Sequence, residues 1–328
     1  MSGGTDLEVR AYEPEDRAGV LALLASSLGW LPDDHHGAFF SWKHEANPFG
    51  PSLAWVAVDG DQLAGFRTFL RWEFLEGGEV RRAVRAVDTA TGPSHRGRGV
   101  FSSLTRHGLA ALPGEGVDFV FNTPNDQSRP GYLKMGWEVV GRLPVQARPR
   151  SLAALRRMAT ARTAADLWST PTERGQDAVV AMADDEALSR LVAQQPPSGR
   201  LTTRRSAAYL RWRYAGLPAL AYRVTTRGST VADGLAVWRL RRRGEALEAA
   251  IVEVLAPGGD HRTARQLALS AASESRADYA MAVGAPHPAA GFIPLPALGP
   301  ILTWRSTGSD TLPSRGAWDL SLGDIELF

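Results

Sequence analysis

Three short patterns occur twice in this chain, in the same order, and this recurrence constrains the fold more than any other feature. Phe40-Ser41-Trp42-Lys43-His44 returns as Leu210-Arg211-Trp212-Arg213-Tyr214. The run Ala86-Val87-Asp88, with Pro93 shortly after it, returns as Ile251-Val252-Glu253 with Pro257. Asp118-Phe119 leads to Gly131-Tyr132, and Asp278-Tyr279 leads to Gly291-Phe292, with 14 residues from aspartate to final aromatic in both copies. The offset far exceeds the ~20–50 residues of a solenoid repeat and points to duplication of a whole domain. A length of 328 residues agrees with two domains at roughly 150 residues each. The expected domains are 1–146 and 179–328, joined by a segment, 147–178, in which large apolar residues are scarce.

The first half reads as β-α-β-β-β-α-β-α-β. Residues 7–10 suit a strand, and 13–28 carry a helical apolar pattern through Val20, Leu21, Leu23, Leu24 and Leu28. A polar loop with Pro32, Asp33, Asp34 and Gly37 follows. Residues 54–58 and 63–71 form antiparallel strands across the Asp59-Gly60-Asp61 turn. A strand over 84–91 stops at Gly92-Pro93, a helix covers 100–112, and 117–122 is a continuous apolar strand. A helix through Tyr132 is bounded by Gly136, and a last strand covers 138–146. The connecting segment has room for a helix over 152–165. The fold class expected is therefore α/β (α+β), with a mixed, mostly antiparallel sheet flanked by helices in each half.

Composition removes several chemistries. There is no cysteine, which excludes disulfide scaffolds, thiolate zinc sites and cysteine nucleophiles. The seven histidines show no zinc-protease spacing, and His35-His36 beside Asp33-Asp34 reads as polar loop, so no metal is expected. Lys+Arg 37 against Asp+Glu 35 leaves a net charge of +2, which does not suit a nucleic-acid partner. No apolar run approaches the ~20 residues of a membrane helix, and the start MSGGTDLEVR has no secretory pattern. A cytoplasmic protein, monomer or homodimer, is expected, with no membrane partner. Trp42, Trp55, Trp72 and Trp212 suit core packing, with Trp30 and Trp42 near a place where an acceptor could bind. Arg239, Arg241, Arg242 and Arg243 read as a solvated hairpin.

The chemistry is concentrated in 83–137. The strand 84–91 enters Gly92-Pro93-Ser94-His95-Arg96-Gly97-Arg98-Gly99, and a helix starts at Val100. Such a turn offers amides without intrahelical acceptors, and the helix dipole adds partial positive charge. Gly97 and Gly99 let the backbone approach a pyrophosphate, and Arg96 and Arg98 can neutralise outer phosphates. The turn is not a P-loop or a dinucleotide fingerprint, because the Gly-Lys-Ser/Thr ending and the third glycine are missing. Downstream stand Asn125, Ser128, Gly131, Tyr132, Lys134, Gly136 and Trp137.

Together these segments resemble the GCN5-related N-acetyltransferase (GNAT) superfamily, in its tandem-domain form. Its phosphate loop is Gln/Arg-x-x-Gly-x-Gly/Ala; here Ser94 replaces the first position while Gly97 and Gly99 match. Its later signature is Asn, then Tyr-x-x-x-Gly-Phe, matched by Asn125, Tyr132 and Gly136, with Trp137 in place of Phe. The resemblance implies two acyl-CoA N-acyltransferase-like domains and acetyl-CoA, or another acyl-CoA, as co-substrate. It implies backbone contacts from Thr89, Ala90 and Thr91 to pantetheine. Gly97, Arg98, Gly99, Val100, Phe101 and Ser102 would hold the pyrophosphate, with Asn125 and Ser128 on the far side. Tyr132 would protonate the departing thiolate, for which a phenol titrating near ~10 is suited. The acceptor would be a primary amine of a small molecule.

The base is open. Asp88 suits either a general base or a carboxylate that pins a bulge, and it is placed on one face with Ala86 and Ala90. His44 and Glu45 are second candidates. The C-terminal carboxylate after Leu327-Phe328 is a third, by similarity to the enhanced-intracellular-survival acetyltransferases. In the second copy His261-Arg262 aligns with His95-Arg96, so Thr263 and Arg265 replace Gly97 and Gly99, and Phe292 replaces Tyr132. That copy is expected not to bind CoA, and Asp260 would repel a phosphate. Two other readings are a non-catalytic CoA-binding regulatory module and a tRNA-dependent aminoacyl transferase of related fold.

Overall fold

The computed structural model describes residues 7–29, 35–161, 163–284 and 291–325. The chain divides into two compact units: Met1–Phe74, Val80–Val140 and Ile301–Pro313, and Leu75–Glu79, Gly141–Pro300 and Ser314–Phe328. The first contains β1 (Glu8–Ala11), α1 (Arg17–Leu28), α2 (His35–Phe40), β2 (Leu53–Asp59), β3 (Gln62–Glu76) and β4 (Glu79–Thr91). It continues with α3 (Val100–Ala111), β5 (Phe119–Asn122), α4 (Arg129–Lys134) and β6 (Glu138–Arg142). Its sheet runs β1-β2-β3-β4-β5, then the strand Ile301–Ser306, then β6. β1, β2 and β3 are mutually antiparallel neighbours, β4 and β5 are parallel, and Ile301–Ser306 is antiparallel to β5.

Apolar alternation on the strands builds a core on each face of this sheet. One core joins Trp55, Phe69, Val84 and Ala86 to Val100 and Leu104 of α3 and Tyr132 of α4. The other joins Val56, Phe66 and Ala90 to Val20, Leu23 and Leu24 of α1 and Phe40 of α2. Gly65 permits a close approach: a Cβ there would lie 2.4 Å from Val100 Cγ1, so the start of α3 could not rest on β3. That contact fixes where the helix N-terminus stands.

The strand expected over 138–146 is two strands. Glu138–Arg142 stays with the first sheet, whereas Val145–Pro149 pairs with Tyr279–Val283 in the second. Conversely, Ile301–Ser306, expected in the second domain, fills the edge that β5 presents away from β4. Linear boundaries at 146 and 179 therefore do not follow the units, because each sheet takes one strand from the other half of the sequence. The second sheet runs Ile293–Pro294, Val145–Pro149, Tyr279–Val283, Ala246–Leu255, Leu235–Arg243, Arg223–Thr226, Gln176–Asp177. The helix expected over 152–165 is Leu152–Thr160.

The repeat holds at the level of single hydrogen bonds. Asp118 donates its amide to Arg82 O at 2.7 Å and accepts Arg82 N–H on Oδ2 at 2.8 Å. Asp278 does the same with Leu247, at 2.8 and 2.9 Å. Both aspartates start the strand that pairs parallel with the preceding long strand. Two expectations are corrected. His35 and His36 begin α2 rather than lying in a loop. Arg239 and Arg241 are buried, because Arg239 donates to Leu167 O and Arg241 pairs with buried Glu248. Among the described residues no helix is long and apolar enough to cross a membrane. Trp30, Asp33, Asp34 and the Leu327-Phe328 terminus lie outside the described residues.

Candidate functional site

The site begins where two parallel strands part. β4 pairs with β5 only from Ala83 to Arg85, opposite Phe119 to Phe121. β5 ends at Asn122, while β4 continues to Thr91. Residues 86–91, including Thr89, Ala90 and Thr91, therefore run beyond the last pair and offer β4 backbone toward an open V. Ala90 is buried on the α1 side, and Thr91 O accepts the Ser27 hydroxyl at 3.4 Å.

At the end of the V the chain turns into α3. Gly92 N–H is bound by Ala64 O at 2.9 Å, and a short turn follows over Pro93–His95. Gly97 and Gly99 have φ of +76° and +80°, and a Cβ on either would meet nothing within 4 Å. Their lack of a side chain thus serves backbone conformation and leaves open space beside the amides. Gly99 caps α3 without any side-chain hydrogen bond, so the first-turn amides around Val100, Phe101 and Ser102 have no intrahelical acceptor. Asp59, at the end of β2, secures this loop twice, through His95 Nε2 at 3.2 Å and Arg98 Nη1 at 2.9 Å. Because a carboxylate only accepts, His95 Nε2 carries the proton. Arg98 is thereby committed to Asp59, and Arg96 is exposed with no carboxylate partner among the described residues.

Opposite stands α4. Asn125 Oδ1 accepts from Gln127 N at 3.1 Å and from Ser128 N and Oγ at 2.9 Å, forming the turn that starts the helix. Both residues have a structural duty, and the Asn125 Nδ2 amide makes no hydrogen bond among the described residues. Tyr132 is buried between Phe101, edge-on at a centroid distance of 5.4 Å, and Trp137, at 5.0 Å. Its Oη accepts from Arg67 Nη1 at 2.7 Å, and the same nitrogen donates to Thr89 Oγ1. Arg67, on β3, ties the phenol to the stretch of β4 beyond its pairing with β5. Sequence reasoning missed it, although one arginine between Phe66 and Phe69 in an apolar strand is a visible signal.

Asp88 is corrected in its placement. It has φ +40° in mid-strand, a conformation that non-glycine residues rarely adopt. The kink reverses the alternation: Val84 and Ala86 face α3, while Ala90 faces α1. Asp88 therefore does not share a face with Ala86. Its carboxylate is buried against Lys43 Nζ at 2.8 Å and His44 Nε2 at 2.8 Å. Burial alone would raise its pKa, but the Lys43 ammonium and the His44 hydrogen bond outweigh it and hold the carboxyl well below the usual range. Burial pushes His44 down despite Asp88, so the ring is neutral, with Nε2–H toward Asp88 and Nδ1 accepting from Ser52 Oγ at 2.9 Å. Glu45 is half-exposed and bound by Arg17 at 3.2 Å. Trp42 is buried against Phe39.

The second unit keeps the frame of this arrangement, its parallel strands pairing only from Glu248 to Ala250, but its helix entry differs. Tyr214 Oη donates to Glu253 at 3.3 Å, and Arg205 pairs with it at 2.8 Å, as His44 and Lys43 engage Asp88. The helix there starts at His261, directly after its cap Asp260. Thr263 and Arg265 consequently lie inside a helix and do not replace loop glycines. Asp260 Oδ2 accepts Thr263 N–H at 2.8 Å, so a carboxylate already occupies the helix N-terminus. A Cβ on Gly259 would lie 2.8 Å from Pro196, and Phe292 is buried in an apolar core.

A family profile described as an acetyltransferase (GNAT) domain matches residues 8–140. No curated protein matches the sequence significantly. Similar solved structures include a probable N-acyltransferase from Enterococcus faecalis, 15% identical with a TM-score of 0.64, covering 92% of this chain and 73% of that one. A GCN5-related N-acetyltransferase from Anabaena variabilis is 16% identical with a TM-score of 0.64 and the same coverage. The Eis1 protein from Mycobacterium abscessus is 15% identical with a TM-score of 0.56, again covering 92% and 73%. At these identities the structures establish the fold, two mixed sheets consistent with tandem domains. Residues 8–140 thus match the profile of a GNAT acetyltransferase domain, within a chain that has the fold of GCN5-related N-acetyltransferases.

Proposed function

We propose that this chain is an N-acyltransferase that moves an acetyl or longer acyl group from CoA to a primary amine of a small molecule. The observation that carries the reading is the V between β4 and β5, which ends in a glycine turn with free helical amides and has a phenol on its far wall. The pyrophosphate would lie on the amides from Gly97 to Ser102, with Arg96 toward the outer phosphate. Backbone groups of Thr89 to Thr91 and the Asn125 amide would hold pantetheine from its two sides. CoA supplies the thioester as an activated acyl donor, and the residues present fit it, since the cradle at Gly97 and Gly99 is one that side chains would fill.

In this reading the amine, as its free base, attacks directly, and Tyr132 gives its proton to the departing sulfur. The surplus proton of the amine passes to water. Asp88 serves as an anchor for the kinked strand rather than as a base, because Lys43 and His44 bind its oxygens. The second unit binds no CoA. A thiol-release assay with acetyl-CoA and longer acyl-CoAs over a panel of amines tests this, repeated with Tyr132→Phe. Loss of turnover in the variant, with acyl-CoA binding kept, is expected. Full activity of Tyr132→Phe at all pH values would remove the phenol from the mechanism. Binding of CoA without turnover on any amine would assign a regulatory module instead.

A further inference from the structure

Among the described residues Arg67 has no carboxylate partner. Its side chain is wholly buried, 0% exposed, and among the described residues its hydrogen bonds go to neutral oxygens, Thr89 Oγ1 and Tyr132 Oη. Nε and Nη2 are buried without a hydrogen-bond partner. Rings of Phe69, Tyr132 and Phe101 surround the guanidinium, with centroids 4.7, 5.3 and 5.8 Å from Cζ. Aromatic faces attract a cation, but they recover only part of what it loses on leaving water. An apolar residue of similar length would fill this place at lower cost. Lys43 and Arg241 are buried against carboxylates, Asp88 and Glu248, whereas Arg213 and Arg239 donate to backbone carbonyls and hydroxyls. Arg67 stands apart in that the phenol it contacts, Tyr132, is the one on the wall of the V.

Resting on the acid reading of Tyr132, we propose that Arg67 is the positioning residue for that phenol, aiming its proton and receiving the charge left when the proton departs. A guanidinium can only donate. By donating to Tyr132 Oη it occupies one lone pair of the phenol, so the phenolic hydrogen cannot point at Arg67 and must seek an acceptor elsewhere. The same nitrogen holds Thr89, on the stretch of β4 beyond its pairing with β5, so the hydroxyl is registered against the strand that lines the V. In the reaction the amine nitrogen bonds to the thioester carbon and the C–S bond breaks, its electron pair going to sulfur. The Tyr132 hydroxyl proton goes to that sulfur. The phenolate oxygen is left 2.7 Å from Nη1, and the proton shed by the amine restores it through water. A cation already in place, undiluted by a carboxylate, needs no reorganisation at that moment.

A double-mutant cycle over Arg67→Met and Tyr132→Phe tests this in the full chain with acetyl-CoA and a turned-over amine. Methionine is unbranched and packs well on rings, so thermal stability should hold or rise as the unpaired charge disappears. We expect Arg67→Met to lower kcat about 10–100-fold, less than the roughly 10²–10⁴ lost when an acid or base itself is removed, with KM for acetyl-CoA changed less than about twofold. Added to Tyr132→Phe, it should lower kcat no further. Arg67→Lys, which keeps a cation, should recover most of the loss and decides the matter if Arg67→Met does not fold. Losses that multiply in the double variant, an effect on KM alone, or equal loss in Arg67→Lys would overturn the assignment. An unimpaired Tyr132→Phe would instead overturn the acid reading itself, so the two failures are distinguishable.

Discussion

Replacing Asp88 by Asn separates an anchor from a base by a wide margin. The substitution keeps shape and an acceptor for His44, but it removes the carboxylate bound to Lys43. That ammonium is fully buried, and the Asp88 side chain is only 6% exposed. Breaking a buried pair by removing one partner costs about 3–5 kcal/mol. At roughly 2–4 °C per kcal/mol for a unit of this size, the midpoint should fall by about 6–20 °C. Below the new transition, kcat should fall less than about tenfold, against the 10²–10⁴ expected when a general base is lost. Lys43→Met combined with Asp88→Asn should recover most of the stability, because the orphaned charge goes too. The pH dependence follows from the sign of the shift. The folded pKa of Asp88 is depressed, so its contribution is complete above the unfolded value near ~3.9 and is lost as pH falls toward the folded value. Calorimetry should find a constant gap between parent and Asp88→Asn from neutral pH to about 5, narrowing below about 4. A kcat loss above about 10² with an unchanged midpoint would refute the anchor and restore the base.

Other expectations concern the cradle. Gly97→Ala and Gly99→Ala each force a Cβ into a left-handed conformation, at about 1–2 kcal/mol, and project it into the space assigned to phosphate. CoA affinity should fall at least about tenfold by titration calorimetry; unchanged affinity would move the phosphate site elsewhere. Asp59→Ala frees the loop from His95 and Arg98, and should raise KM for acyl-CoA while leaving kcat at saturation near the parent value. Calorimetry on the parent should count one CoA per chain, and two would refute the account of the second unit.

The elements were legible where periodicity and turn residues agree. The Asp59-Gly60-Asp61 hairpin, the stop at Gly92-Pro93 and the helix from Val100 follow from local chemistry that tertiary structure does not override. Strand membership at the edges was not legible. Nothing within Val145–Pro149 says which sheet it joins, since an alternating strand pairs with any suitable edge. Within the site, glycines and phenol carry a spacing signature, whereas Arg67, Lys43 and Asp59 matter through contacts distant in sequence. The kink at Asp88 shows the limit most clearly. Strict alternation places Asp88 with Ala86, and one residue with φ +40° reverses the faces. Only the buried partner Lys43, one of just two lysines in the chain, explains why that backbone is held.

The contacts that recur in both units supply an internal control on which parts are chemistry and which are frame. Asp118 and Asp278 make matching bonds to the neighbouring strand, and His44–Asp88 is matched by Tyr214–Glu253. These contacts persist in a unit whose helix N-terminus is filled by Asp260 and whose phenol position is Phe292. A carboxylate that ties helix to strand is useful with or without a thioester nearby, so its presence in both units needs only the structural role. Gly97, Gly99, Arg67 and Tyr132 behave differently. Gly97 and Gly99 leave open space beside their amides and Arg67 contacts the phenol, whereas the second unit's turn, with Gly258 and Gly259 also at positive φ, is filled by Pro196 and Asp260 and has Phe292 at the phenol position. On the proposed function, features without a counterpart in the second unit go with the chemistry, and by that criterion Asp88 falls with the frame and Tyr132 and its partner Arg67 with the chemistry.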